Sequence, residues 1–181
     1  TGGVVLGAPS AFVGYPARFS PAVAREAIEA FTQAGETVFD AFCGGGTTLV
    51  EAVSLGRRAV GMDVISLAAF LARTKTTPIS VHDKREIARW IEFIGAEQIR
   101  GGFSAALSDE DAEYYLRNLP PNAQTFLNWA SALVMLIPRE RQRRCVRVLL
   151  TGVGQWGLGC QSSGPSWWEV KTEVVPRLTR W

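Results

Sequence analysis

The sequence has little of what builds disulfide frameworks, metal sites or membrane spans. Its three cysteines, Cys43, Cys145 and Cys160, are odd in number and far apart. That spacing argues against a disulfide scaffold and a zinc site, and for a reducing, cytoplasmic compartment. The single histidine, His82, lies in a polar stretch with Ser80 and Asp83. With no partner constellation around it, it reads as a solvent-facing turn residue rather than a general base. No apolar run approaches the roughly 20 residues that a membrane helix needs, so no membrane partner is expected. The chain begins at Thr1 without a basic leader region, so no secretory signal is expected and the chain reads as a piece. Neither charge sign dominates: 19 Lys and Arg stand against 17 Asp and Glu, a net +2. Charge alone therefore does not demand nucleic acid. What remains is 181 residues, 47% apolar and 20% charged, enough for a globular core.

One stretch organises the rest: Thr37 to Asp63, TVFDAFCGGGTTLVEAVSLGRRAVGMD. The apolar run Thr37-Val38-Phe39 ends on Asp40. The glycine-dense turn Cys43-Gly44-Gly45-Gly46 follows, and Thr47 and Thr48 open an apolar-periodic segment that Gly56 stops. A second run, Ala59-Val60-Gly61-Met62, ends on Asp63. The pattern predicts strand, tight loop, helix, strand: the first half of a Rossmann-like α/β sheet, in which ligands bind beyond the carboxyl ends of the strands. Consecutive glycines let backbone reach positive φ and approach a ligand closely, and the following helix offers free N–H groups at its start. Asp63 stands 19 residues after Gly44, near the spacing at which a strand-end carboxylate grips ribose hydroxyls. An adenosine-type ligand is expected. A P-loop would need lysine after the last glycine, where Thr47-Thr48 stands, so triphosphate binding is excluded. A GxGxxG dinucleotide loop would need a small residue at Leu49, which disfavours NAD and leaves it open.

The run Asp40-Ala41-Phe42-Cys43-Gly44-Gly45-Gly46-Thr47-Thr48 closely resembles the D-P-F-C-G-S-G-T-T signature of amino-group DNA methyltransferases, which modify adenine N6 or cytosine N4. Arg58-Ala59-Val60-Gly61-Met62-Asp63 resembles that family's next element. Tyr15-Pro16-Ala17-Arg18-Phe19-Ser20-Pro21 resembles the segment that precedes its first strand and walls the cofactor pocket. The likeness spans residues 15 to 77. It implies S-adenosyl-L-methionine as cofactor, contacted by Phe19, Ser20, Asp40, Phe42, Cys43, Gly44, Gly46, Thr47 and Asp63. Within that set it implies that Asp40 holds the methionine amine, that the Gly44 to Gly46 backbone accommodates the methionine end, and that Asp63 binds ribose. Two departures stand out. Ala41 replaces the family's proline, and the catalytic (Asp/Asn/Ser)-Pro-Pro-(Tyr/Phe) motif is absent. Asn118-Leu119-Pro120-Pro121-Asn122 imitates it, but Leu119 breaks the register and Asn122 stands where an aromatic should stack on a flipped base. It reads as a helix–helix turn.

Elsewhere helices are expected. Residues 1–14 read as a mobile lead-in. Ser20-Pro21 reads as a helix start, with Val23, Ala24, Ala27, Ile28 and Phe31 on one face. Ile65 to Lys75 is helical, broken by Thr76-Thr77-Pro78. Ile87, Trp90, Ile91 and Ile94 form an i, i+3, i+4, i+7 stripe. Ser108 to Asp111 is an acidic helix start. Phe126, Ala130, Leu133, Val134 and Ile137 form a further apolar face. Arg139, Arg143 and Arg147 repeat every four residues, flanked by Arg141 and Arg144, opposite Val146, Leu149, Leu150 and Val153. Such a stripe is a solvated surface in most helices; beside the family likeness it is a candidate for tracking a DNA backbone. The tail mixes Trp156, Trp167, Trp168 and Trp181 with Lys171, Arg177 and Arg180. Those aromatics read as core residues orphaned from a partner rather than as a base-stacking platform.

The expected organisation is a lead-in (1–14), an S-adenosylmethionine-binding α/β part (15–79), a helical region (80–155) and a Trp/basic tail (156–181). The fold class is α/β: an incomplete Rossmann-like methyltransferase sheet with a large helical insertion. DNA is the expected partner, with a missing C-terminal half or a second chain supplying the groups that position the target amine. The rival readings are a methyltransferase acting on RNA or a small molecule, a non-catalytic cofactor or nucleic-acid binding module, and an NAD-type Rossmann protein.

Overall fold

The structure, a computed structural model, describes residues 5–6, 20–96 and 121–159. The chain divides into two compact units, Thr1–Ser80 and Val81–Trp181. It is helix-rich mixed α/β, with two small sheets of two strands each among the described residues.

In the first unit, α1 (Pro21–Phe31) starts at Pro21, as the Ser-Pro pair implied. Ser20 contributes only its backbone there: its carbonyl accepts the Ala24 N–H at 3.0 Å, and its side chain makes no cap bond. The buried stripe is also narrower than the periodicity implied. Ala24 and Ile28 are buried, while Val23 and Phe31 are exposed. Among the described residues the main neighbour of α1 is α2 (Thr47–Ser54), and the buried line is the one that faces a single helix.

The strands β2 (Thr37–Asp40) and β3 (Arg58–Gly61) pair in parallel, with Thr37 opposite Arg58 and Asp40 opposite Gly61. Their order across α2 is the strand–helix–strand unit read from the sequence. At the opposite end from the acids, Arg57 ties the pair together. It donates to Thr32 Oγ1 at 3.0 Å, to Thr32 O at 2.7 Å and to Leu55 O at 2.7 Å. Gly61 lets α2 sit close to β3: a Cβ there would fall 2.5 Å from Leu49 Cδ1. The other face of this pair is bare, with Phe39, Val60 and Met62 at 60%, 50% and 57% exposure. Parallel sheets are ordinarily covered on both faces, so this pair is less enclosed than a finished α/β sheet.

Helix α3 (Ser66–Thr76) follows, burying Ala68, Leu71 and Ala72. The Thr76-Thr77-Pro78 segment ends it as expected, but Pro78 then opens a strand, β4 (Pro78–Ile79). Its antiparallel partner is β1 (Val5–Leu6), inside the stretch expected to be a lead-in. Two-residue strands carry no readable periodicity, and proline tolerates the first position of a strand.

In the second unit, α4 (Val81–Ala96) buries the whole stripe Ile87, Trp90, Ile91 and Ile94. Helix α5 (Pro121–Val134) brings Phe126, Leu127, Ala130 and Val134, and α6 (Glu140–Gly159) brings Cys145, Val146, Val148, Leu149 and Leu150. Trp90 Nε1 donates to Leu133 O at 3.1 Å, which joins α4 to α5. His82 is exposed as expected, on the first turn of α4 rather than in a loop. Asp83, expected in the same polar turn, is instead wholly buried.

Candidate functional site

The site grows from one packing constraint. Gly46 ends the glycine loop and begins α2 with φ +83°. A Cβ at Gly46 would lie 2.7 Å from Ala72 Cα and 2.8 Å from Ala72 Cβ, closer than real contacts allow. The loop is therefore pressed against α3 at a spot only glycine can occupy. Cys43, Leu49 and Ala72 form a small buried cluster beneath it. Because Gly46 is the N-cap, no side chain caps α2. Its opening N–H groups, at the positive end of the helix, are left for another acceptor.

The two acids stand at adjacent strand ends. Met62 N donates to Asp40 O at 3.0 Å, and Cys43 N donates to Met62 O at 3.0 Å, so the loop turns back along the end of β3. Asp40 Oδ1 accepts the Phe42 N–H at 3.1 Å, a local turn that holds the carboxylate at the mouth of the loop. Asp63 reaches across to the glycines. Its Oδ2 accepts the Gly44 N–H at 2.8 Å, and its Oδ1 accepts the Ile65 N–H at 2.9 Å. The Ile65 and Gly44 N–H groups hold its carboxyl below the usual aspartate range. Each carboxylate oxygen has a second lone pair, so Asp63 keeps acceptor capacity toward a ligand hydroxyl. Burial pushes the Cys43 thiol up, and the charges of Asp63 and then Asp40 push it further. Thr47 and Gly44 are half-buried beside it, and Phe42 is 81% exposed at the rim.

The sequence-expected residues Ser20, Asp40, Phe42, Cys43, Gly44, Gly46, Thr47 and Asp63 are all described; hydrogen bonds join Gly44 to Asp63 directly, and Asp40 and Cys43 to the adjacent Met62. Ser20 opens α1 and makes no recorded bond to this group. Phe19 lies outside the described residues.

Sequence reasoning missed Lys75. It is 4% exposed on α3, and its Nζ donates to Gly45 O at 2.8 Å. The signal was available: Ala68, Leu71, Ala72 and Lys75 stand at i, i+3, i+4 and i+7, a buried stripe whose last position carries a charge.

Residues 7–72 match the family model described as DNA methylase. Over that stretch, about a third of its length, the chain is similar to the DNA methylase family. The Type II methyltransferase M.MvaI of Kocuria varians is 38% identical over 68 residues, which make up 36% of this chain and 15% of that protein. The chain thus spans a small share of this methyltransferase relative's length. No solved structure matches it. The match covers the glycine loop, both acid-tipped strands and most of α3.

Outside residues 7–72, the arginine stripe that starts at Arg139 and runs into α6 is only partly turned outward. Arg139 Nη1 lies 3.3 Å from Asp83 Oδ1, and Arg141 Nη2 lies 2.8 Å from Asp83 Oδ2. Gln142 Nε2 donates to Asp83 Oδ1 at 2.9 Å. Arg143 pairs with Glu140 at 3.0 Å and donates to Ile137 O at 3.0 Å. Arg147 is exposed, and its recorded bond is a weak one to Met135 Sδ at 3.9 Å. Residues 118–120 of the Pro-Pro segment lie outside the described residues; Pro121 opens α5. Of the Trp/basic tail, only residues 156–159 are described, as the end of α6. Among the described residues no cluster of His, Cys, Asp or Glu could hold a metal ion, and no helix is long and apolar enough to cross a membrane.

Proposed function

We propose that this chain is the cofactor-binding portion of an S-adenosylmethionine-dependent DNA methyltransferase that modifies an exocyclic amine, adenine N6 or cytosine N4. The observation that carries this reading is that Asp40 and Asp63 accept the Phe42 and Gly44 N–H groups of one glycine loop, which has no room for a side chain at Gly46. The residues present suit the cofactor. Asp40 supplies a carboxylate for its ammonium group. The uncapped start of α2 suits its carboxylate, and Asp63 retains lone pairs for ribose hydroxyls. Cys43, Gly44, Gly46 and Thr47 give the small-residue floor, and exposed Phe42 offers a ring at the rim. Phe19 and Ser20 complete the proposed set from the preceding segment.

Bound there, the cofactor would supply an electrophilic methyl group. This chain's residues hold and orient it; the groups that position the target amine belong to another part of the longer protein or to a second chain. The bare Phe39, Val60 and Met62 face, on a pair of parallel strands, is consistent with a sheet completed from outside. DNA contact is assigned to the α6 arginines. Arg147 leads it, because Arg139 and Arg143 are engaged within their own unit.

NAD is the main rival ligand. Where a dinucleotide loop has a small residue packing its helix on the sheet, this chain has Leu49, and the close approach is made by Gly61 of β3 instead. Calorimetry with S-adenosylmethionine, S-adenosylhomocysteine and NAD tests the reading: the first two bind and NAD does not. Radiolabelled cofactor with DNA and this chain alone gives no methyl transfer. Turnover would show that the amine-positioning groups are already present.

A further inference from the structure

Each of the three glycines is fastened by a different element. Gly44 N–H is held by Asp63 at the end of β3, and Gly46 N–H by Cys43 O within the loop at 2.7 Å. Gly45 O is held by Lys75, thirty residues further along the chain on α3. The last two bonds act on the same peptide plane, since the Gly45 carbonyl and the Gly46 N–H belong to one amide. Glycine peptides flip readily, because either sign of φ is open to them. A flip here would break both bonds and turn a carbonyl oxygen toward the ligand side of the loop. Lys75 also places a positive charge directly beneath the bend. Burying an ammonium is costly, so a lysine kept at 4% exposure marks a position where its charge or its donor is used.

Resting on the cofactor reading above, we propose that Lys75 is a positioning residue for the amino-acid end of the ligand. It locks the Gly45–Gly46 peptide with its carbonyl turned inward, so that no carbonyl oxygen opposes a carboxylate on the ligand side of the loop. Lys75 touches the loop from beneath and takes no part in methyl transfer. It discriminates between adenosine compounds that carry an amino-acid tail and those that lack one.

The test compares the intact chain with Lys75→Met, which keeps length and removes charge and donor, and with Lys75→Gln, which keeps a shorter donor. Two readouts are used. The first needs no ligand: amide hydrogen exchange at Gly44 and Gly46 speeds at least tenfold in Lys75→Met, while amides of Phe39 and Val60 stay within twofold. The second is calorimetry with S-adenosylhomocysteine and with 5′-methylthioadenosine, which lacks the amino-acid tail. Lys75→Met loses at least tenfold in affinity for the first and less than threefold for the second, and Lys75→Gln falls between. Unchanged loop exchange overturns the proposal, and so does an equal loss for both ligands. Should Lys75→Met not fold, Lys75→Gln carries both readouts. If the wild-type chain binds neither ligand, the cofactor reading fails by itself, and the exchange result still decides whether Lys75 holds the loop.

Discussion

Replacing Gly46 by alanine should loosen the loop more than the same change at Gly56, and the structure separates the two causes. The left-handed backbone at φ +83° costs an L-residue about 1–2 kcal/mol. The added methyl would meet Ala72 Cα at 2.7 Å, a backbone atom that no rotamer change can move. Forcing a methyl into such packing costs about 1–3 kcal/mol. The expected total for Gly46→Ala is therefore about 2–5 kcal/mol. Gly56→Ala is the matched control: its φ is +76°, yet nothing lies within 4 Å of its Cβ position. It should cost only the backbone term. The assay is native-state amide exchange of the β2–β3 ladder, because all six tryptophans lie at or beyond Trp90, so fluorescence reports on the other unit. If both variants open the ladder equally, to within about 0.5 kcal/mol, α3 is not seated against the loop and the argument for Gly46 is refuted.

Three further outcomes are expected. Asp83→Ala strands Arg141 and Gln142 around a buried hole, and should cost about 3 kcal/mol, the low end for a broken buried pair, because both arginine partners are partly exposed. Urea unfolding followed by tryptophan fluorescence reads this, and a loss under about 1 kcal/mol contradicts it. Burial pushes the Cys145 thiol from 9.0 up to about 12. Since the folded state holds this proton more tightly, its contribution is intact below pH 9 and falls by about 1.4 kcal/mol per pH unit from there toward pH 12. Cys145→Ala should remove that alkaline slope, and a slope unchanged in the variant would show that another group causes it. Arg147→Glu should weaken DNA binding and lower the salt slope by at least about one, leaving the urea midpoint of the second unit unchanged. Arg139→Glu should instead destabilise that unit, because it brings a second carboxylate to Asp83; equal stability in both variants would refute the distinction.

The elements of the first unit were legible where one short-range rule fixed them. Thr37–Asp40 is an apolar run closed by an acid, and the run that gives Arg58–Gly61 is followed two residues on by Asp63. Pro21 sets the start of α1, and Gly56 ends α2 with a left-handed residue whose N–H bonds Val53 O at 3.1 Å. The glycine loop was legible because glycine density has few causes. The strand pair β1–β4 was not, since its pairing joins Val5 to Ile79 across more than seventy residues and each strand is two residues long. Lys75 and Asp83 were missed for a shared reason. A charged residue is first read as solvated: the stripe that ends on Lys75 was outweighed by its charge, and Asp83 is shown to be buried only by partners distant in sequence. The arginine stripe was legible only as a grouping: periodicity set Arg139, Arg143 and Arg147 together, and the ion pairs to Asp83 and Glu140 that engage the first two could not be read from it.

The central claim is that Asp40, Asp63 and the loop between them form a seat for S-adenosylmethionine. Titrating the chain and its Asp63→Ala variant with S-adenosylhomocysteine in a calorimeter tests it most directly. The account requires saturable one-to-one binding to the wild-type chain and at least a tenfold loss in the variant, with the β2–β3 amides still protected. Binding of equal strength to both, or none to a folded wild-type chain, would contradict it.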